Sequence, residues 1–220
     1  MKKLACFLMV CLLSGCQINS NQIKSNITKE ISTMAKSIPS DYITMNKPFY
    51  SYYLPKDIGR IDSNDLSSLL VKDGVKIIMN FNPNSVVIKD YYQKNENTVY
   101  IENTVNENYE FYYQSNGTYL GKDYKYYDYS IRIMQLDETD YLLYLDMGHV
   151  NFTTIVKEVQ LPSFIHSCFV IAKSIDYDSK EVVAFYSLQS TSESIKQDLE
   201  EFNEQLPNDG TLSDLIEKSK

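Results

Sequence analysis

The residue with the clearest chemical potential near the start of the chain is Cys16, which follows an apolar stretch and the small residues Ser14 and Gly15. The thiolate of a cysteine is its nucleophilic form, and small neighbours leave the backbone open to a processing enzyme. Lys2 and Lys3 precede the apolar stretch, and polar residues follow the cysteine. This order of a positive head, a short apolar run and small residues is typical of an export signal. We therefore expect Cys16 to mark a processing site.

The four residues Leu13, Ser14, Gly15 and Cys16 resemble the lipobox of bacterial lipoproteins. The resemblance covers residues 1–16 and implies cleavage between Gly15 and Cys16, a diacylglycerol thioether on Cys16, and often a further acyl chain such as palmitate. Each buried methylene contributes ~0.8 kcal/mol, and two chains give lasting anchorage where one holds only marginally. The resemblance thus predicts a lipid-anchored protein on the extracytoplasmic face of the cell membrane. The alternative is an ordinary export signal that is cut elsewhere.

Little else in the sequence suggests catalysis. The two histidines are His149 and His166, and Cys168 lies among apolar residues and is expected to be buried and inert. No motif of a serine hydrolase, a zinc protease or a phosphate-binding loop occurs. We therefore predict no catalytic residue, no metal and no cofactor. A carboxylate pair in a cleft, as in glycosidases, stays open as an alternative, because the sequence alone cannot show which Asp and Glu residues meet.

The charge balance excludes one class of partner. Lys and Arg number 21 against 29 Asp and Glu, which gives a net charge of −8, and the mature chain is more acidic still once Lys2 and Lys3 are removed. An acidic surface repels phosphate backbones, so we predict that the protein does not bind nucleic acid.

The chain contains 19 tyrosines and no tryptophan, and this is the most unusual feature of the sequence after the predicted signal. Alternation along a predicted strand places Tyr127 and Tyr129 on its apolar side, together with Ile131 and Ile133. The same reasoning assigns four others to the polar side: Tyr100, Tyr112, Tyr124 and Tyr126. Outward tyrosines form flat, amphipathic surfaces suited to an envelope protein or to glycan rings. The alternative is that they form cross-strand pairs or lie beneath helices.

The spacing of apolar residues predicts the elements that would position these side chains. We expect a signal over 1–15, a lipidated cysteine with a polar tether over 16–25, and a single domain over 26–220. A first helix is predicted over 26–37, a helical turn over 63–70, and a hairpin turn at Asn116 and Gly117. Strands are predicted over 49–54, 75–80, 85–91, 98–105, 109–114, 127–136, 141–147 and 151–157.

After Pro162 the period becomes helical over 164–175, and then a strand over 181–188 and a helix over 192–205 are predicted. Together these elements predict an α+β fold, mainly an antiparallel meander with an N-terminal helix and C-terminal helices.

The sequence thus predicts a non-enzymatic binding or scaffolding module of the cell envelope, held to the membrane through Cys16. The alternative from another class is an envelope hydrolase with a carboxylate-based site. A third interpretation is a factor that assists the assembly of a membrane complex.

The lipobox resemblance generates a direct test. Replacing the nucleophile in Cys16→Ala should abolish labelling by a radioactive or clickable fatty acid and leave the precursor uncut. A Cys168→Ala variant serves as the control and should be labelled and processed as usual. Normal cleavage and labelling of Cys16→Ala would contradict the lipobox interpretation.

Overall fold

The computed structural model describes residues 19–87 and 110–187 of the chain. Helices and strands within these ranges are numbered in chain order. The helices are α1 (Ser20–Lys36), α2 (Pro83–Val87), α3 (Leu161–Lys173) and α4 (Ser179–Ser187). The strands are β1 (Met45–Asn46), β2 (Ser51–Tyr52), β3 (Gly59–Ser63), β4 (Ser67–Lys72), β5 (Val75–Phe81), β6 (Tyr113–Leu120), β7 (Tyr126–Gln135), β8 (Asp140–Asp146) and β9 (Val150–Lys157).

Seven of these strands form one antiparallel sheet in the order β3-β4-β5-β9-β8-β7-β6. The chain makes one meander from β3 to β5 and a second from β6 to β9, and the two are joined by the β5–β9 pair. The predicted α+β class with a mainly antiparallel sheet and flanking helices is therefore confirmed. A single meander would place β5 beside β6, whereas the structure pairs β5 with β9 instead.

One face of the sheet is buried, and the strands alternate accordingly. Along β7, Tyr127, Tyr129, Ile131 and Ile133 are buried while their neighbours are more exposed, as the sequence predicts. The buried face is completed by fully buried residues on β8 and β9 and by helix α3, whose apolar residues include Phe164 and Phe169. Burial of large aromatic and aliphatic side chains of this kind contributes about 1.5–3 kcal/mol each.

Helix α1 packs on the same side of the molecule. Its buried residues Ile23, Ile27, Ile31 and Met34 recur at helical spacing and form one apolar stripe. The Asn19 side chain caps the helix by accepting a hydrogen bond from Asn21 N. The helix begins at Ser20, six residues before the predicted start, and so includes part of the segment predicted as a tether. The burial of Ile23 explains this earlier start.

A buried lysine connects α1 to α3. Lys173, at the end of α3, is 1% exposed, and its ammonium donates hydrogen bonds to Met34 O at 2.7 Å, to Ser37 O and to Ser37 Oγ. These acceptors lie at the C-terminal end of α1, where unpaired carbonyls favour a cation. Burial lowers the pKa of Lys173 to about 8. The second link between the helices is an exposed contact of 2.7 Å between His166 Nδ1 and Glu30 Oε1.

Three predicted elements are wrong, and an Asn or Asp side chain is responsible each time. Residues 85–87 of the predicted strand 85–91 belong to helix α2, because Asn82 Oδ1 accepts from Ser85 N and Pro83 suits the first turn, while residues 88–91 lie outside the described residues. The predicted helical turn over 63–70 is a turn into strand β4, because Asn64 Oδ1 accepts from Leu66 N and Ser67 N. The predicted strand 181–188 is helix α4, which Asp178 Oδ1 caps through Lys180 N.

Two other predictions differ in extent. Only Ser51 and Tyr52 of the predicted strand 49–54 are extended, and they pair with Met45 and Asn46 in a two-stranded ribbon. The predicted turn at Asn116 and Gly117 lies in the middle of strand β6. The predicted strands 75–80, 127–136, 141–147 and 151–157 and the helix 164–175 are confirmed to within a few residues at each end.

The predicted strand 98–105, the predicted helix 192–205, the predicted signal over 1–15 and Cys16 lie outside the described residues. Within the described ranges, none of the helices is both long enough and apolar enough to span a bilayer.

The buried lysine gives a prediction for stability against pH. An unfolded lysine keeps a pKa near 10.5, so the unfolded chain binds more protons than the folded chain between pH 8 and 10.5, and the free energy of unfolding rises with pH there. Lys173→Met should remove this rise, which amounts to at most about 3 kcal/mol. Chemical denaturation at pH 7 and pH 9.5 measures the difference.

The exposed lysine variant Lys29→Met is the control and should keep the wild-type pH dependence. An unchanged pH dependence in Lys173→Met would show that the Lys173 ammonium is not responsible.

Candidate functional site

The hairpin that joins β6 to β7 carries two of the predicted binding tyrosines. Tyr126 begins β7 opposite Leu120, and Tyr124 lies in the turn between the strands. Their side chains are 70% and 71% exposed. Tyr124 also has a φ of +59°, a left-handed conformation that costs a residue with a side chain roughly 1–2 kcal/mol. The hairpin thus holds two aromatic rings in solvent at a conformational cost.

A cleft of about 520 Å³ lies between helix α1 and strand β6, beside this hairpin. We call it the α1–β6 cleft. Its walls include Ser32 and Lys36 from α1, Ser115 and Thr118 from β6, and Tyr126 and Tyr129 from β7. Where α1 meets the start of β6, the Thr28 and Tyr113 hydroxyls lie 3.1 Å apart and close one end.

Gly117 explains how Tyr129 reaches this cleft from the neighbouring strand. The two residues are directly paired between β6 and β7. A Cβ atom on Gly117 would lie 2.6 Å from the Tyr129 hydroxyl and 2.8 Å from Tyr129 Cζ. The Tyr129 ring therefore lies across the glycine, and no larger residue fits there without displacing it. The apparent turn signal at Asn116 and Gly117 reflects this close approach inside a strand.

Three polar groups of the cleft have no partner within the described part of the protein. Tyr129 is only 9% exposed, yet its hydroxyl makes no hydrogen bond to any residue in the described ranges. The Lys36 ammonium and the Ser115 hydroxyl likewise have no hydrogen-bond or ion-pair partner within those ranges. None of these three groups is among the fully buried polar atoms of the described residues, so each is open to whatever occupies the cleft, water or a ligand.

The other predicted binding tyrosines do not join this site. Tyr112 lies just before the opposite end of β6, eight residues and roughly 27 Å along the chain from the Leu120–Tyr126 pair. Its hydroxyl donates to Glu158 Oε1 at 2.6 Å, its ring packs edge-on against Tyr141, and Lys24 Nζ lies 4.2 Å from the ring centre. Burial, followed by the bond to Glu158, raises the pKa of Tyr112. Its role is thus structural, and Tyr100 lies outside the described residues.

The remaining candidates from the sequence have structural roles as well. Cys168 is fully buried, which raises the pKa of its thiol, so it is poorly suited to act as a nucleophile. The His149 ring is 3% exposed and packs among aromatic rings, with centroids 4.7 Å from Tyr127 and 5.3 Å from Tyr177. Gly15 and Cys16 lie outside the described residues.

The opposite face of the sheet offers a different kind of group. Asp146 alternates with the buried residues of β8, and burial raises the pKa of its carboxyl, partly offset by the Gly148 N–H at 2.9 Å and by Arg132. On the same strand, burial raises the pKa of Tyr144 to about 12. No group of three or more His, Cys, Asp or Glu side chains within 19–87 and 110–187 is arranged to hold a metal ion.

Comparisons with known proteins add little. No family model matches the chain, and no curated protein matches it. A solved structure from Bacteroides thetaiotaomicron VPI-5482 is similar to it with a TM-score of 0.25 and 11% sequence identity. The match covers 59% of this chain and 45% of that chain. A likeness this weak says nothing about function.

The contact between Gly117 and Tyr129 generates a test of the cleft wall. Gly117→Ala should lower the free energy of unfolding by about 1–3 kcal/mol, because the new methyl group collides with the Tyr129 ring. In a Tyr129→Leu background, the same change should be neutral or stabilising by up to about 1 kcal/mol, since Ala favours a strand over Gly. Chemical denaturation of all four chains forms a double-mutant cycle. An equal loss in both backgrounds would contradict the contact.

Proposed function

We propose that the protein is a lipid-anchored binding module of the cell envelope, and that its binding site is the α1–β6 cleft with the adjoining tyrosine hairpin. The observation that carries the proposal is the Tyr129 side chain, which is only 9% exposed and presents to the cleft a hydroxyl that has no partner among the described residues. A ligand that accepts or donates a hydrogen bond there replaces the water that otherwise solvates this hydroxyl, and it gains affinity where its geometry is better than that of the water.

The composition of the cleft favours binding over catalysis. Its walls contain hydroxyls, three tyrosine rings and Lys36, but no His, Cys, Asp or Glu among the lining residues. Histidine and the carboxylates are the commonest general acids and bases, and Lys and Tyr serve less often, so this lining favours binding. The rings of Tyr126 and Tyr129 combine apolar area with a hydroxyl, which is the combination enriched at interfaces.

The start of helix α1 supports a position close to the membrane. Ser20, the first residue of α1, is the fourth residue after Cys16. A stretch of four residues reaches at most about 14 Å. If Cys16 carries the lipid, the N-terminal end of α1 is held within this distance of the anchor. The anchor then restricts how the cleft can approach partners in the same membrane or in the adjacent envelope.

The hydrolase alternative depends on the opposite face of the sheet. A raised pKa suits a general acid, and Asp146 has one. A glycosidase also needs a second carboxyl group at a set distance across the bond to be cleaved. Loss of a hydrolytic activity in Asp146→Asn, with no change in Tyr126→Ser, would favour this alternative over the binding module.

In vivo photo-crosslinking tests the binding site directly. Benzoylphenylalanine replacing Tyr126 should capture a partner, because that side chain borders the cleft and is 70% exposed. Tyr42 is 77% exposed but does not line the cleft, so the same probe there is a matched control and should give no such product. The product at position 126 should fall at least severalfold when Ser32→Trp fills the cleft. Identical products at both positions, or no effect of Ser32→Trp, would contradict the proposed site.

A further inference from the structure

The two edges of the seven-stranded sheet differ in how they are protected. Strand β3, at one edge, is exposed at all five residues, carries Arg60 and Asp62, and has a bulge between them. Charges and bulges are the devices that prevent an edge from pairing with another chain. Strand β6, at the other edge, has eight residues without any charge or proline, and it pairs with β7 without a register shift. It therefore lacks these protective devices.

The backbone groups on the outer side of β6 follow from the ladder geometry. Gly121 N donates to Lys125 O at 2.9 Å. Hydrogen-bonded and non-hydrogen-bonded pairs alternate along an antiparallel ladder. The N–H and C=O groups that point away from β7 therefore belong to Leu120, Thr118, Asn116 and Gln114. Within residues 19–87 and 110–187, no strand pairs with this outer edge.

The α1–β6 cleft runs beside this edge. A strand added along β6 would direct alternate side chains toward the helix side of the sheet, where the Tyr129 hydroxyl and Lys36 lie. The cleft contains a lysine and no acidic lining residue, although the chain as a whole has a net charge of −8. An acidic side chain on the added strand would thus find a cation that has no partner among the described residues.

We propose that strand β6 accepts an extended peptide segment of a partner protein as an eighth strand, with an acidic side chain directed into the α1–β6 cleft toward Lys36. The backbone ladder supplies affinity and the cleft supplies selectivity for the side chains. The proposal rests on the binding function proposed above and specifies the partner for that site.

A second copy of this chain suits the edge less well. Pairing of β6 with its own copy would bring together two chains that each have a net charge of −8. It would also place each Lys36 beside a second cleft that has no carboxylate among its lining residues. An acidic extended segment complements the cleft, whereas a copy of β6, which has no charged residue, does not.

A random-peptide library provides the probe. The full chain in detergent is used to select from phage-displayed ten-residue peptides, and enriched peptides are synthesised and titrated by fluorescence anisotropy. The enriched peptides should share a pattern of side chains that repeats at every second residue, with an Asp or Glu at a constant position. Thr118→Pro removes one outward N–H and should weaken their binding about tenfold. Proline is tolerated in edge strands, and circular dichroism verifies folding of the variant.

Two matched controls separate backbone from side-chain effects. Thr118→Ala keeps the outward N–H and should bind within about twofold of the wild type, since only a side chain is shortened. Lys36→Gln should weaken the acidic peptides about fivefold, and Lys36→Arg should retain their affinity.

Several results would overturn the proposal. These are no enrichment of peptides, equal binding by Thr118→Pro and wild type, or a dimer in sedimentation that Thr118→Pro dissociates, which would assign the edge to a second copy. If no peptide binds but the cross-link at position 126 persists, strand addition is wrong while the binding cleft stands. If peptides bind and are weakened by Thr118→Pro and Lys36→Gln as expected, but the cross-link at position 126 is absent, the proposed cellular function is wrong while strand addition stands.

Discussion

The packing of helix α1 on the sheet is the interaction on which the described structure depends. Its stripe of Ile23, Ile27, Ile31 and Met34 is buried, and burying four such side chains contributes several kcal/mol by itself. The Lys173 ammonium holds the C-terminal end of the helix through three acceptors. This position of α1 also creates the cleft, because one wall of the cleft is α1 and the other is the edge strand β6.

The sequence predicted the parts of the fold that depend on a clear apolar period. Strands β7, β8 and β9 alternate with period two, and α3 buries most of its surface, so each could be recognised from its pattern. The failures at Asn64, Asn82 and Asp178 share one cause. A single side-chain oxygen paired with nearby backbone N–H groups decides whether the chain turns, extends or begins a helix, and that bond does not alter the apolar pattern.

The candidate site was only partly predictable for a similar reason. Alternation of apolar and polar residues predicts that Tyr124 and Tyr126 face outward, and both are exposed in the structure. The same rule grouped Tyr112 with them, although Tyr112 precedes the first residue of β6 and its hydroxyl is bound to Glu158. Tyr129 was assigned to the core, which is correct for its ring. Its hydroxyl reaches the cleft only because position 117 is a glycine, and this coupling between strands requires the register that the structure supplies.

Strand β6 has a backbone edge beside the α1–β6 cleft with which no strand of residues 19–87 and 110–187 pairs, and we propose that this edge is open in the free protein. Amide hydrogen exchange of the free protein, resolved by residue, measures this most directly. The account predicts fast exchange for Asn116 and Thr118, whose N–H groups point outward, and slow exchange for Ser115 and Gly117, whose N–H groups point toward β7. Slow exchange at all four positions would show that the edge is already paired in the free protein and would contradict the account.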